Sequence, residues 1–278
     1  SRVRGHGSAT MSRPRRITSA LQAFGVYPGR FVRACRGLPI YLRNRFAFPR
    51  LASDSHGAFP IAGNYPCLGD RFLPGGDAHG HYFHMDLLVA QSVFATGIRR
   101  HVDVGSRMDG FVAHVATFAR VEVFDIRPLT TSAANITFRR VNVLELGKEF
   151  DGYTDSLSCL HVLEHFGLGR YGDPLDPDGH VKGWRALERL VRPGGRFFFA
   201  VPISRHQRIE FDAHRVFGVP FLLDLIRSSF RIDRFSSVDD EGGLHVGQDP
   251  ESAAARDGFG YRYGCGIFEL TKLPASGA

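Results

Sequence analysis

From residue 81 onward the chain alternates short apolar runs with longer stretches whose apolar positions recur at helical spacing. Tyr82, Phe83, Met85, Leu87, Leu88 and Val89 predict a helix over 81–96. Residues 100–104 then read as a first strand, 110–119 as a helix and 121–124 as a second strand. A third strand falls within 136–146 and is expected to end at Val141-Asn142-Val143. Small and apolar residues at 156–160 predict a fourth strand, followed by a Gly, Asp and Pro rich loop over 167–179 and a helix over 181–191. Pro193-Gly194-Gly195 predicts a tight turn into a fifth strand at 196–201. There Phe197-Phe198-Phe199-Ala200-Val201 shows no alternation, as expected of a central parallel strand covered on both faces. A polar loop over 202–214, an amphipathic helix over 219–229, a sixth strand at 231–238 and a seventh at 263–271 complete the pattern. Strands alternating with helices predict an α/β protein with a parallel, doubly wound sheet.

The first 80 residues read differently. Residues 1–16 are rich in Ser, Arg, Gly and His, and Met11 stands as a candidate start, so this segment reads as a leader. Residues 17–48 are basic and partly amphipathic, which suits a packed helical extension or a helix lying on anionic lipid. Proline, glycine and aspartate over 49–80 predict a loop. The expected division is therefore a disordered leader at 1–16, an extension at 17–80, a domain at 81–272 and a tail at 273–278.

Composition narrows the partners more than the fold. With 43% hydrophobic residues the chain can bury a substantial core. A net charge of +7 and a pI of about 9.5 favour anionic partners: nucleic acid, phosphate-bearing substrates or an acidic membrane surface. Cys35, Cys67, Cys159 and Cys265 include no Cys-x-x-Cys pair and no zinc-finger spacing, and Cys159 and Cys265 fall inside apolar runs. A reducing compartment is expected. No run reaches the roughly 18 apolar residues of a membrane span, so the expectation is a cytoplasmic protein whose basic extension could touch a membrane.

The chemistry gathers after the first strand. Gly105-Ser106-Arg107-Met108-Asp109-Gly110 has its glycines five apart and lacks the middle glycine of a dinucleotide turn. It suits a ligand with a ribose and no diphosphate, with Gly105 allowing close approach, Asp103 just before it, and Asp125 at the next strand end accepting from ribose hydroxyls.

Val-Asp-Val-Gly-Ser at 102–106, Val-Phe-Asp at 123–125, Ser-Cys-Leu-His-Val-Leu-Glu-His at 158–165 and Leu-Val-Arg-Pro-Gly-Gly-Arg-Phe at 190–197 follow in order. Together they resemble the class I S-adenosylmethionine-dependent methyltransferases over residues 82–270. The phrase Leu-Glu-His-Phe-Gly-Leu-Gly-Arg-Tyr-Gly-Asp-Pro at 163–174 is similar to a methyltransferase-like family of uncharacterised domains. The resemblance implies a Rossmann-like sheet of seven strands, mostly parallel with the last antiparallel, and S-adenosylmethionine as cofactor. It also implies roles. Gly105, Ser106 and Gly110 would shape the turn at the methionine end, with Asp103 anchoring the amino group. Asp125 would hold the ribose, Ile126 and Val143 the adenine, and Asn142 the adenine amine. His161 would lie beside the cofactor.

Methyl transfer needs donor and acceptor aligned, and an oxygen acceptor also needs a base for its proton. His165 past the fourth strand and His214 past the fifth are the candidates, with Asp212 forming an acid–imidazole dyad with His214. Arg170, Tyr171, Asp173 and Arg215 are candidate acceptor contacts, the arginines suiting a phosphate or carboxylate. No metal is assigned, although Asp173, Asp212 and His214 could form a ligand set of the kind some sugar O-methyltransferases use. The leading expectation is an O-methyltransferase acting on a saccharide or other small acceptor. The alternatives are a non-catalytic module of the same fold and a nucleic-acid methyltransferase. No Asn-Pro-Pro-Tyr motif or RNA-binding module supports the last.

Overall fold

A computed structural model describes residues 21–52, 61–76, 78–130 and 132–274, so the leader expected at 1–16 and the end of the tail lie outside the described residues. The chain divides into two units, Ser1–Asp77 and Ala78–Ala278. In the first, helix α1 (Pro28–Ala52) carries Pro39 and Pro49 within it. Asn64 Oδ1 accepts from Arg45 Nε at 2.7 Å and from Tyr41 Oη at 3.2 Å, and a Cβ on Gly37 would strike the Leu68 carbonyl. Segment 61–76 therefore runs along the helix. Phe31, Phe46 and Leu51 remain exposed. Among the described residues no helix is long and apolar enough to cross a membrane.

The second unit opens with helix α2 (Gly80–Ala95) and strand β1 (Arg100–Val104). Strands β2 (Arg120–Asp125), β3 (Ile136–Arg140), β4 (Thr154–Leu160) and β5 (Val191–Ile203) follow, with helix α4 (Gly179–Leu190) before β5 and the short helix α3 (Ala113–Ala116) before β2. After β5 come a hairpin of β6 (Arg208–Glu210) and β7 (His214–Val216), helix α5 (Val219–Arg227), and strands β8 (Phe230–Val238) and β9 (Leu244–His245). Helix α6 (Ala253–Arg256) and strand β10 (Gly264–Lys272) end the unit. The main sheet has the order β3-β2-β1-β4-β5-β10-β8-β9. Strands β1 to β5 are parallel, and β10 inserts antiparallel between β5 and β8. The seven expected strands are present, and the two-residue β9 adds an eighth at the edge.

Both faces of the sheet are covered. Phe197, Phe199 and Val201 of β5 pack on one face with Trp184, Leu187, Leu222 and Ile226. Phe198 and Ala200 pack on the other with Met85, Val89, Phe111 and Val115. This accounts for the lack of alternation in β5: with a two-residue period, a strand buried on both sides needs apolar residues at odd and even positions alike. The strand order reverses where β1 lies between β2 and β4, which opens a crevice at the carboxyl ends of these strands.

Four expectations need correction. The third strand ends at Arg140, because Asn142 Oδ1 accepts from Leu144 N and caps a 3-10 turn at Val143–Glu145. In place of a regular helix over 110–119, a wide π turn (Met108–Val112) precedes α3, and Gly110 sits there with φ −121° and ψ −108°. A Cβ on Gly110 would fall 2.2 Å from Asp86 Oδ2, so the turn follows the buried acid of α2. Strand β5 runs straight through Pro193-Gly194-Gly195, which appears as a slip of register against β4 between Thr154 and Ser156. The polar stretch 202–214 holds the end of β5 and the β6–β7 hairpin.

Candidate functional site

The turn after β1 is held from behind by a chain of buried polar groups. Ser156 Oγ lies 2.7 Å from His101 Nδ1, and His101 Nε2 lies 2.8 Å from Ser158 Oγ. Ser158 Oγ donates to Asp103 Oδ1 at 2.5 Å, and Asp103 also accepts from Ser106 Oγ at 2.6 Å and Ser106 N at 3.0 Å. Because the Ser158 hydroxyl proton goes to Asp103, its oxygen accepts from His101, which fixes a neutral imidazole carrying its proton on Nε2. Burial holds His101 down at about 3 and pushes Asp103 up to about 6. Asp103 and Ser106 thus satisfy each other behind the turn and do not line the cleft in front of it. Asp103, expected to anchor an amino group through water, caps the turn through Ser106. Gly110 packs on Asp86, whose carboxyl is raised to about 6 by burial, and it too lies off the cleft.

In front of the turn is a cleft of about 640 Å³, partly open to solvent, at the carboxyl ends of β1, β2 and β4. Gly105, Asp125, Ile126, Asn142, Val143 and His161 line it, and His165, Tyr171 and Asp173 close its far side. Gly105 has φ +69°, and a Cβ there would lie 2.8 Å from Val162 Cγ1, so only glycine lets the loop after β4 approach this closely. Asp125 Oδ1 accepts from Arg127 N at 2.8 Å and Nε at 3.1 Å, and its Oδ2 from Arg127 Nη2 at 2.6 Å. The Arg127 guanidinium also lies 4.7 Å over the Tyr171 ring. The Asn142 carbonyl is taken by Leu144 N, and its amide donates to Glu145 Oε1 at 2.8 Å. Its expected contact with an adenine amine therefore competes with its capping role.

The loop after β4 supplies the imidazoles. His161 has φ +54°, and its Nδ1 donates to Glu164 Oε1 at 2.8 Å, while its Nε2 and Glu164 Oε2 are buried without hydrogen-bond partners. Burial opposes the charged form of His161, but the Cys265 sulfur and the Glu164 carboxylate outweigh it and hold the pKa well above the ordinary value. His165 Nδ1 donates to the Ala213 carbonyl at 2.7 Å, leaving Nε2 as the acceptor, and burial lowers its pKa. His214 is half-buried with its pKa lowered for the same reason, and its ring centroid lies 6.4 Å from that of His165.

Several expected partners lie elsewhere. Asp212 is exposed, and the carboxylate facing His214 is Glu210, 3.5 Å from Nε2, because the hairpin register sets these two residues opposite each other. Asp173 Oδ2 accepts from the amides of Gly167 and Gly169, and its Oδ1 from Tyr171 N, so it shapes the loop it was expected to arm. Arg170 Nη1 donates to the Ala213 carbonyl at 2.9 Å. Arg215 is buried, not acceptor-facing, and donates to the carbonyls of Phe166 at 2.6 Å, Pro177 at 3.2 Å and Glu164 at 3.4 Å. Asp173, Asp212 and His214 form no ligand cluster among the described residues. The sequence reading missed His101, Asp86, Glu210 and the structural role of Arg215.

Residues 120–246 match a family model described as Caenorhabditis protein of unknown function, DUF268. A ubiquinone biosynthesis O-methyltransferase of Acinetobacter baylyi is 32% identical over 93 residues, 34% of this chain and 33% of that protein. Its counterpart in Pseudomonas aeruginosa is 28% identical over 122 residues, 41% of this chain and 47% of that protein. The chain therefore spans a third to about half the length of these curated relatives. Among solved structures, Burkholderia thailandensis 1,6-didemethyltoxoflavin-N1-methyltransferase, with 1,6-didemethyltoxoflavin and S-adenosylhomocysteine bound, superposes with a TM-score of 0.50. The match covers 96% of this chain and 94% of that one at 15% identity. Strand order, the antiparallel insertion of β10 and this superposition show that the chain has the fold of the class I S-adenosylmethionine-dependent methyltransferases.

Proposed function

We propose that the cleft binds S-adenosylmethionine and that the protein transfers its methyl group to a hydroxyl of a saccharide or other small acceptor. One observation carries this reading: Gly105, Asp125 and His165 line the same cleft. Gly105 lines the cleft at the turn after β1, and Asp125 at the tip of β2 offers a carboxylate for ribose hydroxyls. Ile126 and Val143 form an apolar slot suited to adenine. When bound, the cofactor supplies an activated methyl on a sulfonium centre. His165 is neutral at pH 7 and fixed by Ala213, so its Nε2 can take the acceptor proton as the new carbon–oxygen bond forms. Exposed Arg170 beside Tyr171 suits an anionic acceptor. The name O-methyltransferase borne by the curated relatives agrees with an oxygen acceptor. The arginines from Arg33 to Arg50 of α1, with Phe46 and Phe48 exposed among them, support contact with an anionic membrane surface.

The test is calorimetric titration of the chain with S-adenosylmethionine. Binding should weaken about tenfold or more in Asp125→Ala, and His165→Gln should bind normally yet transfer methyl about 100-fold more slowly. Absence of heat from the unmodified protein would sink the proposal. A second reading, a binding module without catalysis, draws on the engagement of Asp125 and Asn142 within the chain. It predicts no S-adenosylhomocysteine density in the cleft of a co-crystal.

A further inference from the structure

Three residues with no shared motif meet beneath the start of α2. His81 lies in the first turn of α2, His161 follows β4, and Cys265 begins β10. One ligand atom from each lies within 4.8 Å of the other two. The imidazoles of His81 and His161 are nearly parallel, with centroids 5.3 Å apart and planes 4° apart. Two imidazoles bound to one tetrahedral ion at ~2 Å would put their centroids ~5 Å apart, so the ring spacing suits a shared ion, and the donor atoms, now within 4.8 Å of one another, draw together around it.

The independent observation is the valence of His161. Its side chain is 4% exposed, its Nδ1 is committed to Glu164, and its Nε2 has no hydrogen-bond partner. A buried ring nitrogen left unpaired is costly, and a residue other than glycine at φ +54° persists only where its surroundings hold it. The Cys265 thiol is free and buried; it makes a weak contact at 3.8 Å to the Gly266 carbonyl and faces the His161 imidazole, whose charged form it favours.

We propose that His81, His161 and Cys265 form a binding site for a divalent ion of the zinc class, with His161 ligating through Nε2. Glu164 is then the outer carboxylate that fixes the ring's orientation and tautomer, an arrangement metal-bound imidazoles commonly show. Two imidazoles and a thiolate select Zn²⁺ or Co²⁺ over Mg²⁺ or Ca²⁺. Binding converts the Cys265 thiol to thiolate and releases its proton to solvent. Three protein ligands leave a fourth position for water or an oxygen ligand. The site stands on its own geometry and does not depend on the methyl-transfer reading.

The experiment uses the untagged full chain, stripped with a chelator and titrated with Co²⁺. One equivalent should bind with a thiolate-to-cobalt charge-transfer band, and Zn²⁺ should displace it. Cys265→Ser should abolish the band, and Glu164→Gln should weaken affinity about tenfold or more. His81 is only half-buried, so His81→Ala tests the site with the core intact should Cys265→Ser fail to fold. No cobalt bound, cobalt bound without the thiolate band, or a band unchanged in His81→Ala would each overturn the assignment.

Discussion

Two regions around the cleft treat their polar groups differently. At the ends of β1 to β3, nearly every donor and acceptor is answered within the chain: Asp103 by Ser106 and Ser158, Asp125 by Arg127, Asn142 by Leu144 and Glu145. Past β4 and β5, nitrogens and oxygens are left over: His161 Nε2, Glu164 Oε2 and His214 Nε2 make no hydrogen bond. The second region bonds one imidazole nitrogen and leaves the other over, as at His165, whose Nδ1 is bonded to the Ala213 carbonyl.

The sharpest way to break this contrast is to remove the support of the second region. Arg215→Ala leaves the carbonyls of Glu164, Phe166 and Pro177 without their buried donor and should cost about 3–4 kcal/mol, read by denaturant unfolding. Amide exchange at Gly167 and Leu168 should rise with it; unchanged protection would mean that Arg215 does not hold the loop. Next comes pH. A histidine kept neutral by burial destabilises the fold as pH falls, because only the unfolded chain gains the proton below pH 6.5. For His101, held down to about 3, this amounts to ~3 kcal/mol between pH 6.5 and 4. His81, His165, His180 and His214 act in the same sense, whereas Asp86 and Asp103, raised to about 6, act oppositely over about pH 6 to 4. His101→Phe should therefore flatten the acid loss of stability by that amount, and an equal loss in both proteins would show that the imidazole is not buried neutral.

Gly105→Ala is a smaller perturbation. Forcing a side chain into the left-handed turn against Val162 should cost ~1–2 kcal/mol and weaken cofactor binding alongside. Smallest is Arg127→Ala, an exposed pair worth less than about 1 kcal/mol. If Asp125 is the ribose ligand, freeing it should tighten S-adenosylmethionine binding up to about fivefold in calorimetry. Weaker binding instead would make Arg127 part of the site.

What was legible in the sequence followed local period and turn chemistry. Strand β1 and the apolar part of β5 at 196–201 could be read because burial on both faces writes itself into consecutive residues, and Gly105 and Asp125 because a turn and a strand end stand close in the chain. What could not be read came from pairing at a distance. His101 looks like one polar residue in an apolar run until β4 brings Ser156 and Ser158 beside it, 55 and 57 residues away. Glu210, not Asp212, meets His214 because a hairpin register decides it, and a polar stretch gives no sign of a hairpin. Arg215 carries no mark that separates a buried arginine from a solvated one. Strand β3 stops at Arg140 because Asn142 caps the next turn, a role that its apolar neighbours Val141 and Val143 do not announce.

The position of β10 has a consequence for assembly. It is translated after β5 and β8 yet pairs with both, so the two parts of the sheet can be joined only once residue 272 has emerged from the ribosome. Until then β5 and β8 each present an open edge to solvent and to other nascent chains. Cys265 arrives with that closing strand, so the imidazole pair gains its sulfur only in the final act of folding.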